Sequence, residues 1–177
     1  TQTGQVLKTP QTIVEAVVKA NNDRQKQMAE KVIAACGGSV DGMQIGVLGV
    51  AFKPNTDDVR DAPSLVIIPE LQKAGANILA HDPEAQEEAS KHLSDIDWKS
   101  DPYDAAKNVD ALIIITEWNE YRALGMQRIA DSMKVKRLID MRNIYKPNVM
   151  RDLGFHYVSI GRPEIEPTGE SNLRKVS

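Results

Sequence analysis

The sequence predicts an α/β fold: a Rossmann-like, doubly wound parallel sheet of about six strands, preceded by one long α-helix. Three observations predict it. Short apolar runs alternate with segments of helical pattern, joined by short connections. Two of the runs, residues 45–50 and 111–115, are short and apolar, as parallel strands buried on both faces require. Ahead of them, nothing breaks a helical stretch that ends only at Gly37-Gly38.

Residues 1–8 are polar and read as a frayed start. Thr9-Pro10 then offers a helix start with proline at the first helical position. Thr12 and Glu15 have capping-box spacing, which places the start slightly later. A helix of about 25 residues, at about 1.5 Å each, runs roughly 38 Å. Its ends are apolar: Ile13, Val14, Val17 and Val18 at one, Val32 and Ile33 at the other. The middle, Asn21 to Gln27, is polar. One end is thus expected to pack on the following body, and the other to meet a second domain or its copy in a dimer.

After Asp41-Gly42 the period changes to that of a strand, residues 45–50. A charged loop spans 51–62, and Pro63 opens a helix with Leu65, Val66, Ile68 and Leu71 on one face, stopped by Gly75. Strand two is expected at 78–80, ending in His81-Asp82-Pro83, with a charged helix over 84–91. Then come a short strand at 96–98, a short helix at 103–107 and the apolar strand at 111–115, expected to be central. A helix near 120–133, a strand at 137–141 and a last strand at 155–160 complete the pattern. The organisation read from this is a long interdomain or dimerisation helix (1–38), a Rossmann-like domain (39–162) and a flexible tail (163–177).

The chain has 177 residues, 41% hydrophobic and 27% charged, enough for one core without disulfides. Lys+Arg 22 against Asp+Glu 25 gives a net charge of −3, which argues against nucleic acid as a partner. One cysteine, Cys36, rules out an internal disulfide framework and a CxxC site. The histidines, His81, His92 and His156, lack metal-binding spacing, so no metal is expected. No apolar run approaches the ~20 residues of a membrane span, and no signal peptide opens the chain. A cytoplasmic protein without membrane contact is the expectation.

In a sheet of this kind, ligands bind beyond the carboxyl ends of the strands, at the switch in strand order. Strand one runs into Ala51–Arg60, strand four into Thr116-Glu117-Trp118, strand five into Arg142-Asn143. Lys53, Arg60 and Arg142 are therefore expected to converge on one crevice suited to a phosphate or diphosphate. The competing reading makes them solvated charges paired with Asp57, Asp58 and Asp61. The G-x-G-x-x-G fingerprint is absent: the strand-one turn reads Gly46-Val47-Leu48-Gly49-Val50-Ala51-Phe52. Asp82 stands where a ribose-binding acid would be, but without the glycine loop it reads as a cap for the next helix. Cys36, at a helix C-terminus, reads as a buried structural thiol. His81 and His156 read as surface or packing residues, and Trp118 and Tyr121 as cover for the sheet edge.

Residues 46–64, Gly-Val-Leu-Gly-Val-Ala-Phe-Lys-Pro-Asn-Thr-Asp-Asp-Val-Arg-Asp-Ala-Pro-Ser, resemble the C-terminal, UDP-binding domain of UDP-glucose 6-dehydrogenases. Thr116-Glu117-Trp118, then Asp140–Tyr145, then Gly154–Arg162 agree in the same order, and Ala20–Arg24 resembles the middle of that family's long central helix. The resemblance covers Thr12 to Arg162. It implies NAD-dependent oxidation of UDP-glucose to UDP-glucuronate in two steps, with the cofactor on an N-terminal domain and a cysteine forming a thiohemiacetal and then a thioester. It implies a dimer made by the central helix. By motif it places Phe52, Lys53, Pro54, Asn55 and Arg142 at the UDP-sugar and Arg60 at the NAD. The chain carries neither the G-x-G-x-x-G domain nor the Gly-Gly-Ser-Cys-Phe-type segment, so no catalytic residue is assigned. A fragment or subunit inactive alone is expected. GDP-mannose or UDP-N-acetylmannosamine as the sugar nucleotide, or a helix-mediated dimerisation module without its own ligand, are the alternatives.

Overall fold

The computed structural model describes residues 12–167, with side chains from Ala20 onward, Asn22 excepted. Helix α1 spans Thr12–Ala35, 24 residues. It ends where Gly37 and Gly38 take φ of 87° and 93°, a conformation costly for residues with a Cβ. There the Gly38 amide donates to Ile33 O and the Gly37 amide to Ala34 O, both at 2.9 Å, closing the last turn. Ala29, Val32 and Cys36 are buried and fix this end of α1 to the body, as expected for Val32. The expected apolar patch at the other end, Ile13 to Val18, lies outside the described side chains, and residues 1–8 outside the described chain.

Six parallel strands follow: β1 (Gln44–Leu48), β2 (Asn77–His81), β3 (Ile96–Trp98), β4 (Ala111–Ile114), β5 (Arg137–Asp140) and β6 (His156–Ser159). Their order in the sheet is β3-β2-β1-β4-β5-β6, so β1 and β4 lie side by side at the centre, where the order reverses. Every residue of β4 is buried, and Ile45, Val47 and Leu48 of β1 are fully so, which accounts for their uninterrupted apolar character.

The helices are α2 (Ser64–Lys73), α3 (Gln86–Ala89), α4 (Pro102–Ala105), α5 (Asn119–Arg122), α6 (Met126–Ser132) and α7 (Pro147–Asp152). Three depart from expectation. The charged helix expected over 84–91 shrinks to α3, because the Glu84 and Ala85 amides turn back to the Asp82 carboxylate. The helix expected over 120–133 is two helices, broken at Gly125, whose amide donates to Tyr103 Oη at 2.9 Å. Helix α7, opened by Pro147, fills a stretch between β5 and β6 for which the sequence pattern predicts no element. In α2 the buried face is Ser64, Ile67, Ile68 and Leu71, while Leu65 and Val66 stay half-buried. The segment expected to be loose from 163 is held at its start, where Ile165 bridges Tyr157 antiparallel; residues 168–177 lie outside the described chain. Among the described residues no helix is long and apolar enough to cross a membrane.

Candidate functional site

At the carboxyl edge of the sheet the chain leaves β1 through Gly49, at φ 86°. A Cβ there would meet the Thr116 backbone nitrogen at 2.8 Å, so only glycine allows the β1 and β4 loops to close on each other. The two peptides that follow are tied down by side chains. The Val50 and Ala51 amides donate to Asp82 Oδ2 at 2.7 and 3.0 Å. Ser64 Oγ donates to Val50 O at 2.5 Å and Thr116 Oγ1 to Ala51 O at 2.6 Å. The loop 52–58 closes on itself through Phe52 N–H to Asp58 O at 2.9 Å. Phe52, on this base, leaves its ring 49% exposed.

Phe52 borders a cavity of about 850 Å³. Its floor is apolar, from Leu65, Val66, Ile115 and Met141, and α1 supplies one side through Asn21, Arg24, Gln25 and Met28. Arg142, from the β5 loop, also lines it. The Arg142 guanidinium holds Glu117 through Nε to Oε2 and through Nη2 to Oε1 at 2.8 Å. That pairing lowers the Glu117 pKa, so Glu117 stays ionised and fixes the plane of the guanidinium. Beneath it, buried Asp140 accepts from the Arg142 amide at 3.0 Å, from the Tyr145 amide at 3.1 Å and from Tyr157 Oη at 2.8 Å. Asn143 has φ 56°, and its side chain spans to both Ile160 N and Ile160 O at 3.0 Å, joining the β5 and β6 loops.

The three cations do not converge as expected. Arg142 lines the cavity, but Lys53 and Arg60 do not, and neither do Pro54 and Asn55. Lys53 is exposed on the 52–58 loop. Arg60 pairs with Asp58, Nη2 to Oδ2 at 2.7 Å, and that hydrogen bond lowers the Asp58 carboxyl to about 2. The second cation at the cavity is instead Arg24. Its signal lay in the polar middle of α1: positions 21, 24, 25 and 28 follow the i, i+3, i+4, i+7 spacing of one helix face.

The remaining candidates are structural in place. Asp82 caps the turn ahead of α3, through Glu84 N at 3.1 Å and Ala85 N at 2.8 Å. Burial pushes the Cys36 thiol up, with Arg137 opposing, so the sulfur is an inert core atom. Trp118 and Tyr121 are buried at the sheet edge. Tyr121 Oη donates to His81 O at 2.9 Å and lies 3.0 Å from His81 Nδ1. One cluster of possible metal donors, His156, Glu164 and Glu166, comes together within 4.8 Å among the described residues. His156 begins β6, so this cluster lies at the opposite end of the strand from the cavity.

Residues 46–147 match the UDP binding domain of the UDP-glucose/GDP-mannose dehydrogenase family. The chain belongs to that family. Relatives include the UDP-glucose 6-dehydrogenase of Rhizobium meliloti (strain 1021), 48% identical over 163 residues, 92% of this chain and 37% of the relative. The UDP-glucose 6-dehydrogenase TuaD of Bacillus subtilis (strain 168) is 40% identical over 164 residues, 92% of this chain and 35% of the relative. Among solved structures, a UDP-glucose dehydrogenase from the hyperthermophilic archaeon Pyrobaculum islandicum superposes with a TM-score of 0.66 at 32% identity, covering 82% of this chain and 32% of that one. The chain thus spans about a third of the length of the curated relatives it matches. Phe52 and Arg142 lie within the matched segment, whereas the α1 side of the cavity, Asn21 to Met28, and Ile160 lie outside it.

Proposed function

We propose that the chain is the UDP-sugar-binding portion of an NAD-dependent UDP-glucose 6-dehydrogenase, an oxidoreductase that converts UDP-glucose to UDP-glucuronate in two oxidations. The observation that carries the reading is the exposed Phe52 ring beside a cavity that also holds Arg142. A nucleobase stacks on an aromatic face, and a guanidinium offers a planar fork to phosphate oxygens. A volume of about 850 Å³ falls within the range of small-molecule sites.

In this reading Arg142 takes the diphosphate and Phe52 the uracil. Lys53, Pro54 and Asn55 close over the ligand from the 52–58 loop. Arg60 leaves Asp58 to reach an NAD held by a cofactor domain outside this chain. Arg24 brings a second guanidinium from α1. The nucleophile and the cofactor grip belong to that other portion, so this chain alone binds and does not oxidise. Pairing through α1 into a homodimer is part of the same proposal.

Isothermal titration of the 177-residue chain with UDP, with NAD as control, tests it. Saturable heat with UDP and none with NAD is the expected result. Heat with NAD alone would overturn the reading. Production of NADH from UDP-glucose by the pure chain would overturn its division of labour.

A further inference from the structure

Asp82 is buried, 5% exposed, and among the described residues no cation pairs with it. An ionised carboxylate in that position is costly unless hydrogen bonds replace its water. Here they do, and their origin is informative. Oδ2 accepts from Val50 N and Ala51 N in the β1 loop, and from Trp118 Nε1 in the β4 loop at 3.2 Å. Oδ1 accepts from Glu84 N and Ala85 N, ahead of α3. The acceptor therefore sits where three loops of the carboxyl edge meet. In dinucleotide-binding sheets the backbone amides of the turn after strand one face a bound phosphate. In this chain the same turn faces the carboxylate of Asp82, the residue that follows β2.

We infer that Asp82 is the positioning residue of the Phe52 loop: its carboxylate stands in for a phosphate at the strand-one turn and converts an anion grip into a rigid mount for Phe52. This rests on the reading of Phe52 as a ligand contact. Two consequences follow from the geometry. The amides of Val50 and Ala51 are occupied, so a diphosphate is left to the side chains lining the cavity. The carbonyls of the same two residues accept from Ser64 and Thr116, and the Phe52 amide donates to Asp58 O, so the two peptides that lead into Phe52 have every polar group paired. A ring held in place in advance loses less freedom when it binds.

The test is anion rescue of Asp82→Ala in the full chain, with formate as the probe and chloride at matched ionic strength as control. Amide exchange and chemical shifts at Val50 and Ala51 are read by NMR, with Ile113 as a core reference. The variant is expected to lose protection at Val50 and Ala51 by about tenfold or more relative to Ile113. Millimolar formate should shift those two amides saturably and restore their protection, and leave the wild type unchanged. UDP affinity should fall by about tenfold in the variant and recover with formate. Unchanged protection, or no formate response specific to the variant, would overturn the inference. Should Asp82→Ala not fold, Asp82→Asn decides. One oxygen becomes a donor, so either the Val50/Ala51 pair or the Glu84/Ala85 pair must lose protection, and full protection of both overturns the inference. Wild-type binding of UDP is a separate arm. Its failure counts against the proposed function, whereas the exchange result still decides Asp82.

Discussion

Arg142→Ala puts the proposed site to a quantitative trial. In the free chain the guanidinium is engaged by Glu117 through Nε and Nη2, with side chains 35% and 26% exposed. An ion pair that open to water contributes about 0.2–1 kcal/mol, after screening. A charge-assisted contact with a phosphate contributes about 1.5–3 kcal/mol. The phosphate therefore wins the competition, and it need not win it outright, because Nη1 is not used by Glu117. Removing the guanidinium should weaken UDP by about 10- to 150-fold. It also leaves the Glu117 carboxylate without its cation and next to an incoming dianion, which pushes the loss to the upper part of that span. The double variant Arg142→Ala, Glu117→Ala removes this repulsion and should recover several-fold of the affinity. Titration calorimetry of the four proteins in the cycle measures both quantities. An unchanged UDP affinity in Arg142→Ala would remove Arg142 from the site. A double variant no better than the single one would show that Glu117 does not face the ligand.

Phe52→Ala should leave thermal stability within a degree or so of wild type, since its ring is 49% exposed, while weakening UDP by about 5- to 100-fold through lost stacking; a large fall in Tm with intact binding would make the ring a packing residue. Ile113→Ala, at a fully buried position in β4, should cost about 2–5 kcal/mol in urea unfolding, and a cost under about 1 kcal/mol would contradict its central place. His81 responds to pH. Burial pushes its imidazole below the ordinary range, against Asp82 and Asp101, so its folded value lies below its unfolded one. Its contribution is fully present above about pH 6.5 and is lost as pH falls through the lower folded value. His81→Gln should therefore flatten the decline of Tm between neutral and mildly acidic pH, and an unchanged slope would count against it.

Much of the sheet was legible because parallel strands buried on both faces leave a plain mark. Residues 45–50 and 111–115 read as strands from apolar content, and β1 and β4 stand together at the centre. That placement in turn located the carboxyl-edge site and brought Phe52 and Arg142 to one cavity. What the sequence hid has a common physical cause: it lay in hydrogen bonds between segments far apart in the chain. Gly125 breaks a helix because Tyr103, 22 positions away, takes its amide. Arg60 is a local case: Asp58, two positions away, forks it, as the competing reading of paired surface charges has it. The sequence reads Asp82 as a cap for the next helix, which its bonds from Glu84 N and Ala85 N bear out, but it leaves the Val50 and Ala51 amides and the partners of Asp140 unmarked. Which amides they would receive depended on strand order, which had to be known beforehand.

Asp82 and Asp140 also explain why this edge holds its shape without a glycine-rich turn. Asp82 directly follows β2 and Asp140 ends β5, and each of these strands lies beside one of the two central strands. Each is buried and receives amides from loops that carry a proposed contact: Asp82 from the Phe52 side, Asp140 from Arg142 itself. The loops are thus fastened from beneath by internal anions, and the faces turned to the cavity are left to an aromatic ring and guanidinium groups. Helix α1 completes this arrangement from above. Ala29 and Val32 anchor it to the body, while Arg24 and Gln25, about one turn earlier, line the cavity. A ligand held between Arg24 and Arg142 would therefore bridge α1 and the sheet edge.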